Sequence, residues 1–169
     1  MNRPLFAIRQ ANPEDAEPMF AVHKASVHEL CAKAYSAEHM EAWFKDRTPD
    51  IYSPALAARQ IWVAEKNGKV VGFVGAQLGE VTLLFVAPHA GGQGIGSALF
   101  NHGLSVAQGP SSEPVIVVAT KNSESFYAAH GFVAVEERWF ERGVNALRYP
   151  VVKMLRQGGG LGSLQNAAA

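Results

Sequence analysis

The run VAPHAGGQGIGSALF, residues 86–100, holds four glycines, Gly91, Gly92, Gly94 and Gly96, and no lysine or arginine. An apolar run precedes it and a helical pattern follows. A strand, a glycine-rich turn and a helix start together make an anion site. The first amides of a helix have no internal acceptor, and the helix dipole adds partial positive charge. Glycines let a phosphate come close to the backbone, so cations are not required. Two glycines alone would read as a plain turn, but four in six residues point to phosphate. The choice of ligand narrows by elimination. A Walker loop needs Gly-Lys-Ser/Thr, whereas Gly96 is followed by Ser97-Ala98, which argues against ATP or GTP hydrolysis. A dinucleotide fold carries its loop after the first strand, and this loop follows the fourth.

The loop must be placed by elements around it, and composition sets their scale. The chain has 169 residues, one domain's worth, and 48% of them are hydrophobic, enough for a sizeable core. With 15 basic and 15 acidic residues the formal net charge is zero, which gives no support for a nucleic-acid or anionic-membrane partner. Cys31 is the single cysteine, so no internal disulfide forms; a helix position makes it a packing residue. The six histidines lack metal-ligand spacing, so no metal is expected. The N-terminus lacks a signal-peptide core, and no apolar run reaches the ~20 residues that span a bilayer. The chain reads as a cytoplasmic protein.

The pattern predicts one α/β domain over residues 1–156, a mixed and largely antiparallel sheet flanked by helices in the order βααβββαβαββ, with a mobile tail at 157–169. Residues 5–10 read as a strand. Asn12 and Pro13 open a helix that runs to about residue 33, with Ala16, Phe20, His23, Val27 and Leu30 at helical spacing. His23 on that apolar face reads as a hydrogen-bonded core histidine. Ser36 caps a second helix that turns Met40, Trp43 and Phe44 inward. Pro49 and Pro54 break the segment 48–59. Runs 60–66 and 69–77 flank Asn67-Gly68, a hairpin signal, and a turn at Leu78-Gly79 leads into a third meander strand at 80–88. After the loop, Ile95, Leu99, His102 and Val106 mark a helix. PVIVVAT, 114–120, is continuously apolar and reads as a strand buried on both faces. SESFYAAH is a short helix ended by Gly131, and a terminal hairpin closes around Arg142-Gly143.

Val86-Ala87-Pro88, then Gly91-Gly92-Gln93-Gly94-Ile95-Gly96, resembles the loop of the GNAT superfamily of acetyl-CoA-dependent N-acetyltransferases. Phe126-Tyr127-Ala128-Ala129-His130-Gly131-Phe132 is similar to a second signature of that family. The element order agrees over about residues 5–155. One position departs: the family's Arg/Gln falls on Gly91, so a side chain that helps hold the pyrophosphate is missing.

The resemblance implies acetyl transfer from acetyl-CoA to a primary amine by direct attack in a ternary complex. The acceptor would be a small molecule or a peptide, and a homodimer through the terminal hairpin is possible. Such transfer needs the amine deprotonated, the carbonyl oxygen stabilised and the leaving thiolate protonated. The resemblance implies that Leu84, Phe85 and Val86 splay from PVIVVAT to hold the pantetheine arm, with an N–H of Phe85 or Val86 facing the thioester oxygen. The amides of Gly91, Gly92, Gln93, Gly94, Ile95, Gly96 and Ser97 would hold the phosphates. Asn122 is a further cofactor candidate, although Thr120 stands at the usual spacing. Tyr127 would be the general acid, against a plain reading as a packing tyrosine beside Phe126. Glu80, at the start of the splayed strand, is a candidate base, against a solvated carboxylate beside a turn. His28, Glu29 and Tyr35 lie where the family builds its acceptor pocket. The rival is a non-catalytic acyl-CoA-binding module that keeps the loop without a working acid or base.

Overall fold

The structure is a computed structural model that describes residues 5–30, 32–142 and 146–158. Cys31, the Gly143 turn and the tail beyond Gly158 lie outside the described residues. Seven strands form a single sheet: β1 (Ala7–Gln10), β2 (Ile61–Lys66), β3 (Lys69–Gln77), β4 (Glu80–Val86), β5 (Val115–Thr120), β6 (Val133–Arg142) and β7 (Leu147–Arg156). Their spatial order is β1-β2-β3-β4-β5-β7-β6. The helices are α1 (Ala16–Leu30), α2 (Ala37–Phe44), α3 (Ser53–Ala57), α4 (Ile95–Gln108) and α5 (Glu124–Ala129). The expected order holds, with α3 and the 3-10 turn Pro49–Tyr52 filling the proline-broken segment.

Local chemistry explains most boundaries. Asn67 and Gly68 both take positive φ, 51° and 74°, as a two-residue hairpin turn demands. Ser36 Oγ accepts from the His39 amide at 3.3 Å and starts α2. Gly131 ends α5 at φ 86°. Asn12 precedes a 3-10 turn, Pro13–Asp15, whose Asp15 carboxylate accepts from the Asn12 amide at 2.8 Å. Arg9 donates to the same carboxylate at 2.8 and 2.9 Å and to Glu65 at 3.0 Å, tying β1, the start of α1 and β2 together.

The two faces of the sheet carry different helices. Phe73 and Phe85 face α1, where the Phe85 ring lies 3.9 Å from that of His23. Their strand neighbours point the other way: a Cβ on Gly72 would stand 2.9 Å from Leu99 of α4, and Val86 reaches Gly96 at the start of that helix. Tyr127 packs on Phe100 of α4 at 5.4 Å, so α5 shares that face. A second apolar cluster of Val27, Tyr35, Met40, Trp43, Phe44 and Tyr149 fastens α2 to β7.

One expectation is corrected here. PVIVVAT is not buried on both faces: Val115, Val117 and Ala119 are in the core, but Val118 is 43% exposed. The reason is that β5 borders a gap in the sheet. β4 and β5 run parallel and have one register pair, Glu80↔Ile116, beside the bond from the Ile116 amide to Gly79 O at 2.8 Å. Beyond it they diverge. β4 bulges against β3, Gly75 facing Leu83 and Ala76 facing Val81, so Thr82 is the extra residue. A bulge bends its strand, and this one sits where β4 leaves β5. Gly75 makes room for it, since a Cβ there would stand 2.6 Å from Thr82 Oγ1.

Candidate active site

The gap between β4 and β5 opens into a cleft of about 510 Å³ lined from both faces of the sheet. On the α4 side stand Gly96, Thr120, Asn122, Phe126 and Tyr127; on the α1 side stand His23, Ser26, Trp43, Arg47, Tyr52 and Arg142. Two ligands entering from opposite faces would therefore meet at the seam.

Backbone geometry decides what the seam offers. The Ala87 amide donates to Val71 O at 2.8 Å. Residues of an antiparallel strand alternate in which side their amides face. Phe85, in register with Phe73, therefore turns its N–H toward β3. The N–H groups of Leu84 and Val86 face the gap. Of the two residues expected to face a thioester oxygen, the geometry leaves Val86.

The glycine loop lies at the open end of the seam. Gly92 and Gly94 have φ of +71° and +78°, with open space where a Cβ would stand. Only glycine takes such angles without strain. The first backbone bond of α4 runs from the Ala98 amide to Gly94 O at 3.0 Å, so the amides ahead of Ala98 precede the helical ladder. Gly91 differs from its neighbours, at φ −64°. A cation also stands here that the loop's own sequence lacks: Lys66, at the end of β2, donates to Gln93 Oε1 at 2.5 Å. The spacing of 27 residues gave no local signal of it.

Tyr127 is 7% exposed. Its ring is held by Phe100, Phe126 and Phe132. Among the described residues its hydroxyl has no hydrogen-bond partner, and burial pushes its pKa well above the ordinary phenol value. The phenol stays protonated at neutral pH. Opposite, His23 is buried, with Nδ1 at 2.8 Å from the Tyr52 hydroxyl and Nε2 without a partner. Burial, and then the charge of Arg47, press its pKa down to about 3, so the ring is neutral. The core role read for His23 holds, and the same ring also lines the cleft.

Leu84, Phe85, Val86, Gly96, Asn122 and Tyr127 come together in the cleft, and Thr120 lines it beside Asn122. Gly91, Gly92, Gln93, Gly94, Ile95 and Ser97 form the adjoining loop and helix start. Four candidates stand elsewhere. Glu80 sits at the closed end of the seam, 3.4 Å from the Gln77 amide that donates to it, and is not part of the cleft lining. His28 and Tyr35 line a separate depression with Lys24, Met40 and Glu41. His28 stacks on Phe44, while Tyr35 is buried and donates to Pro150 O at 2.8 Å. Glu29 is exposed. Helical rotation is the reason: His28 and Glu29 are turned more than a quarter revolution from His23, whereas Ser26 shares its side. Ser26, Trp43, Arg47, Ile51, Tyr52, Phe140 and Arg142 were not found from sequence, because their segments are far apart in the chain. The described residues hold no group of three His, Cys, Asp or Glu side chains that could bind a metal. No helix among them is long and apolar enough to cross a membrane.

A family model for the acetyltransferase (GNAT) domain matches residues 31–153. The peptidyl-lysine N-acetyltransferase YjaB of Salmonella typhimurium is 30% identical over 131 residues, 74% of this chain and 81% of that protein. A GCN5-related N-acetyltransferase from Rhodopseudomonas palustris superposes with a TM-score of 0.77 at 26% identity, covering 93% of this chain and 98% of that one. PaiA N-acetyltransferase from Thermoplasma acidophilum, solved with coenzyme A, superposes at 0.71 and 17% identity over 90% of this chain and 98% of that one, a likeness that speaks for the fold. A glycine loop that starts a helix, a strand splayed from its neighbour and a buried tyrosine across the seam fit that match, and the chain belongs to the GNAT family of acetyltransferases.

Proposed function

We propose that this chain transfers an acetyl group from acetyl-CoA to a primary amine by direct attack in a ternary complex. The observation that carries this reading is the seam, which runs from the glycine loop past the Val86 amide to the Tyr127 hydroxyl. Bound acetyl-CoA supplies the acetyl group as an activated thioester. The amides from Gly92 to Ser97 would hold its pyrophosphate, with Lys66 adding the charge that Gly91 cannot. The free edge of β4, Leu84 to Val86, would pair with the pantetheine arm. The Val86 N–H would stabilise charge developing on the acetyl oxygen. Tyr127 would protonate the departing sulfur. Burial raises the phenol's pKa and that of a thiol beside it alike, since it penalises both anions, so the two stay matched for transfer.

Among the described residues no carboxylate lines the cleft, and His23 is too weak a base to hold the amine's proton. Water in the open part of the cleft would take it. The missing carboxylate is also what favours the rival reading, a module that binds acyl-CoA without turning it over. Thiol release from acetyl-CoA with a panel of amines decides between them. Release that depends on the amine supports transfer. A thermal shift with acetyl-CoA and no release with any amine would establish the module. A homodimer is supported by the exposed Val133, Val135 and Trp139 of β6, the outer strand, and light scattering checks it.

A further inference from the structure

The α1 side of the cleft holds two guanidinium groups and no carboxylate. All 15 Asp and Glu side chains fall within the described residues. Three other arginines use them: Arg9 meets Asp15 at 2.8 Å, Arg138 meets Glu136 at 3.0 Å and Arg148 meets Glu141 at 3.3 Å. Among the described residues Arg47 and Arg142, the two arginines of the cleft, have no such partner. Arg142 is close enough for its charge to act on Arg47: the Arg47 pKa lies below its ordinary value because of burial and then the charge of Arg142. The other groups that act on Arg47 are Tyr52 and Tyr149. Arg142, an exposed residue, is held by an aromatic ring. Arg142 lies 5.1 Å over the Phe140 ring, which stacks on Tyr149 at 4.8 Å and meets Trp43 edge-on at 5.3 Å. Arg47 stands three residues past the end of α2, half-buried, with its backbone amide bonded to Phe44 O at 3.1 Å. A half-buried cation beside a second one, in a cleft without a counter-charge, is stable only at the expense of desolvation and repulsion. A planar anion relieves both, because two guanidinium forks match a carboxylate bidentately.

We infer that the acceptor is a free amine carrying its own carboxylate, as in an amino acid, and that Arg47 and Arg142 bind that carboxylate while the amine points to the seam. This rests on the acetyl-transfer reading and names its substrate class. It sets the chain apart from a pure lysine-peptide acetylase, since a lysine within an uncharged peptide would bring a third cation to two unpaired ones.

The test is thiol release from acetyl-CoA with matched amines that differ only by the carboxylate: leucine against isoamylamine, phenylalanine against phenethylamine, lysine against cadaverine, with an uncharged lysine peptide alongside. The carboxylate member should lead in kcat/KM by about 10- to 100-fold, the range of a charge-assisted pair. Arg47→Gln and Arg142→Gln should each shrink that lead, chiefly through KM, and Arg47→Lys should keep part of it. All three variants should retain the thermal shift with CoA, which verifies folding. Equal or better rates for the amines without carboxylate, or for the peptide, overturn the inference and leave acetyl transfer standing. No release with any amine, while acetyl-CoA still shifts Tm, overturns acetyl transfer and this inference together.

Discussion

The two walls of the cleft are built by different means. The α4 wall is local in sequence and presents mainly backbone: the edge of β4, the loop Gly91–Gly94 and the first amides of α4, with Tyr127 as the side chain proposed to react. The α1 wall presents side chains: His23 from α1, Arg47 and Tyr52 from the segment around the 3-10 turn, Phe140 and Arg142 from β6. Backbone recognition survives most side-chain replacements and suits a ligand that never changes. Side-chain recognition is easily rewritten and suits one that does. The cofactor would be read by the first wall and the acceptor by the second.

The sharpest way to break this contrast is Tyr127→Phe. Ring packing on Phe100, Phe126 and Phe132 is kept and only the proton donor is lost. Turnover in single-turnover assays should fall by about 10²–10⁴-fold while the acetyl-CoA thermal shift persists. A chemical step at the parent's rate would leave the α4 wall as pure scaffold and Tyr127 as packing.

Next comes the seam that separates the walls. Gly75→Ala places a methyl 2.6 Å from Thr82 Oγ1. Overpacking of this kind costs about 1–3 kcal/mol, measurable by urea unfolding. Adding Thr82→Ala should recover part of it. Additive losses in the double variant would show that the bulge does not depend on that contact.

The α1 wall has its own acid response. The His23 pKa, about 3 in the fold, lies below its unfolded value near 6.5. The unfolded chain therefore binds the proton first. The stability contributed is complete above pH 6.5 and drains as pH falls toward 3. Between pH 6.5 and 5 the parent should lose about 2 kcal/mol that a His23→Gln variant keeps. Parallel denaturation curves for the two at both pH values would remove His23 as the cause.

Smaller effects probe the backbone wall. Gly91 has an ordinary φ of −64°, so Gly91→Arg fits at the expense of a 3.3 Å approach to Pro88 O. It should tighten CoA binding by about two- to fivefold, the scale of an exposed ion pair. Unchanged affinity by calorimetry would turn that position away from the phosphates. Smallest of all is Glu80→Gln, outside the cleft, expected within about twofold of the parent in kcat/KM. A loss of 10²-fold would restore Glu80 as a base acting through water.

The same contrast governs what the sequence could tell. Asn67-Gly68, Ser36, Gly131 and the loop glycines act within a few residues of themselves, so their turns and caps were readable directly. The place of Tyr127 beside the cleft was readable because its motif is contiguous. Arg47 and Arg142 are neighbours only because α2 docks on β7 and β6 pairs beside it, and no local pattern encodes that. Lys66 reaches Gln93 across the end of the sheet for the same reason. Glu80, His28, Glu29 and Tyr35 were assigned by position along their elements, but helix rotation and the point where β4 meets β5 decide which of them face the cleft. Val118 misled through composition, since an apolar strand can border a ligand slot as well as a core.

The parted strands have a further consequence. A continuous sheet has two edges, and this one has four: β1 and β6 outside, β4 and β5 within. Unpaired edges invite other chains to add strands and aggregate. The inner two are flanked by α1 on one face and by α4 and α5 on the other, so a foreign β-strand reaches them less freely than it reaches β1 or β6. A slender chain with amides of its own would fit between those walls more readily than a strand with side chains on both faces. The interruption thus works as a gauge of molecular width, and it lets the fold keep open rungs without exposing them to its neighbours.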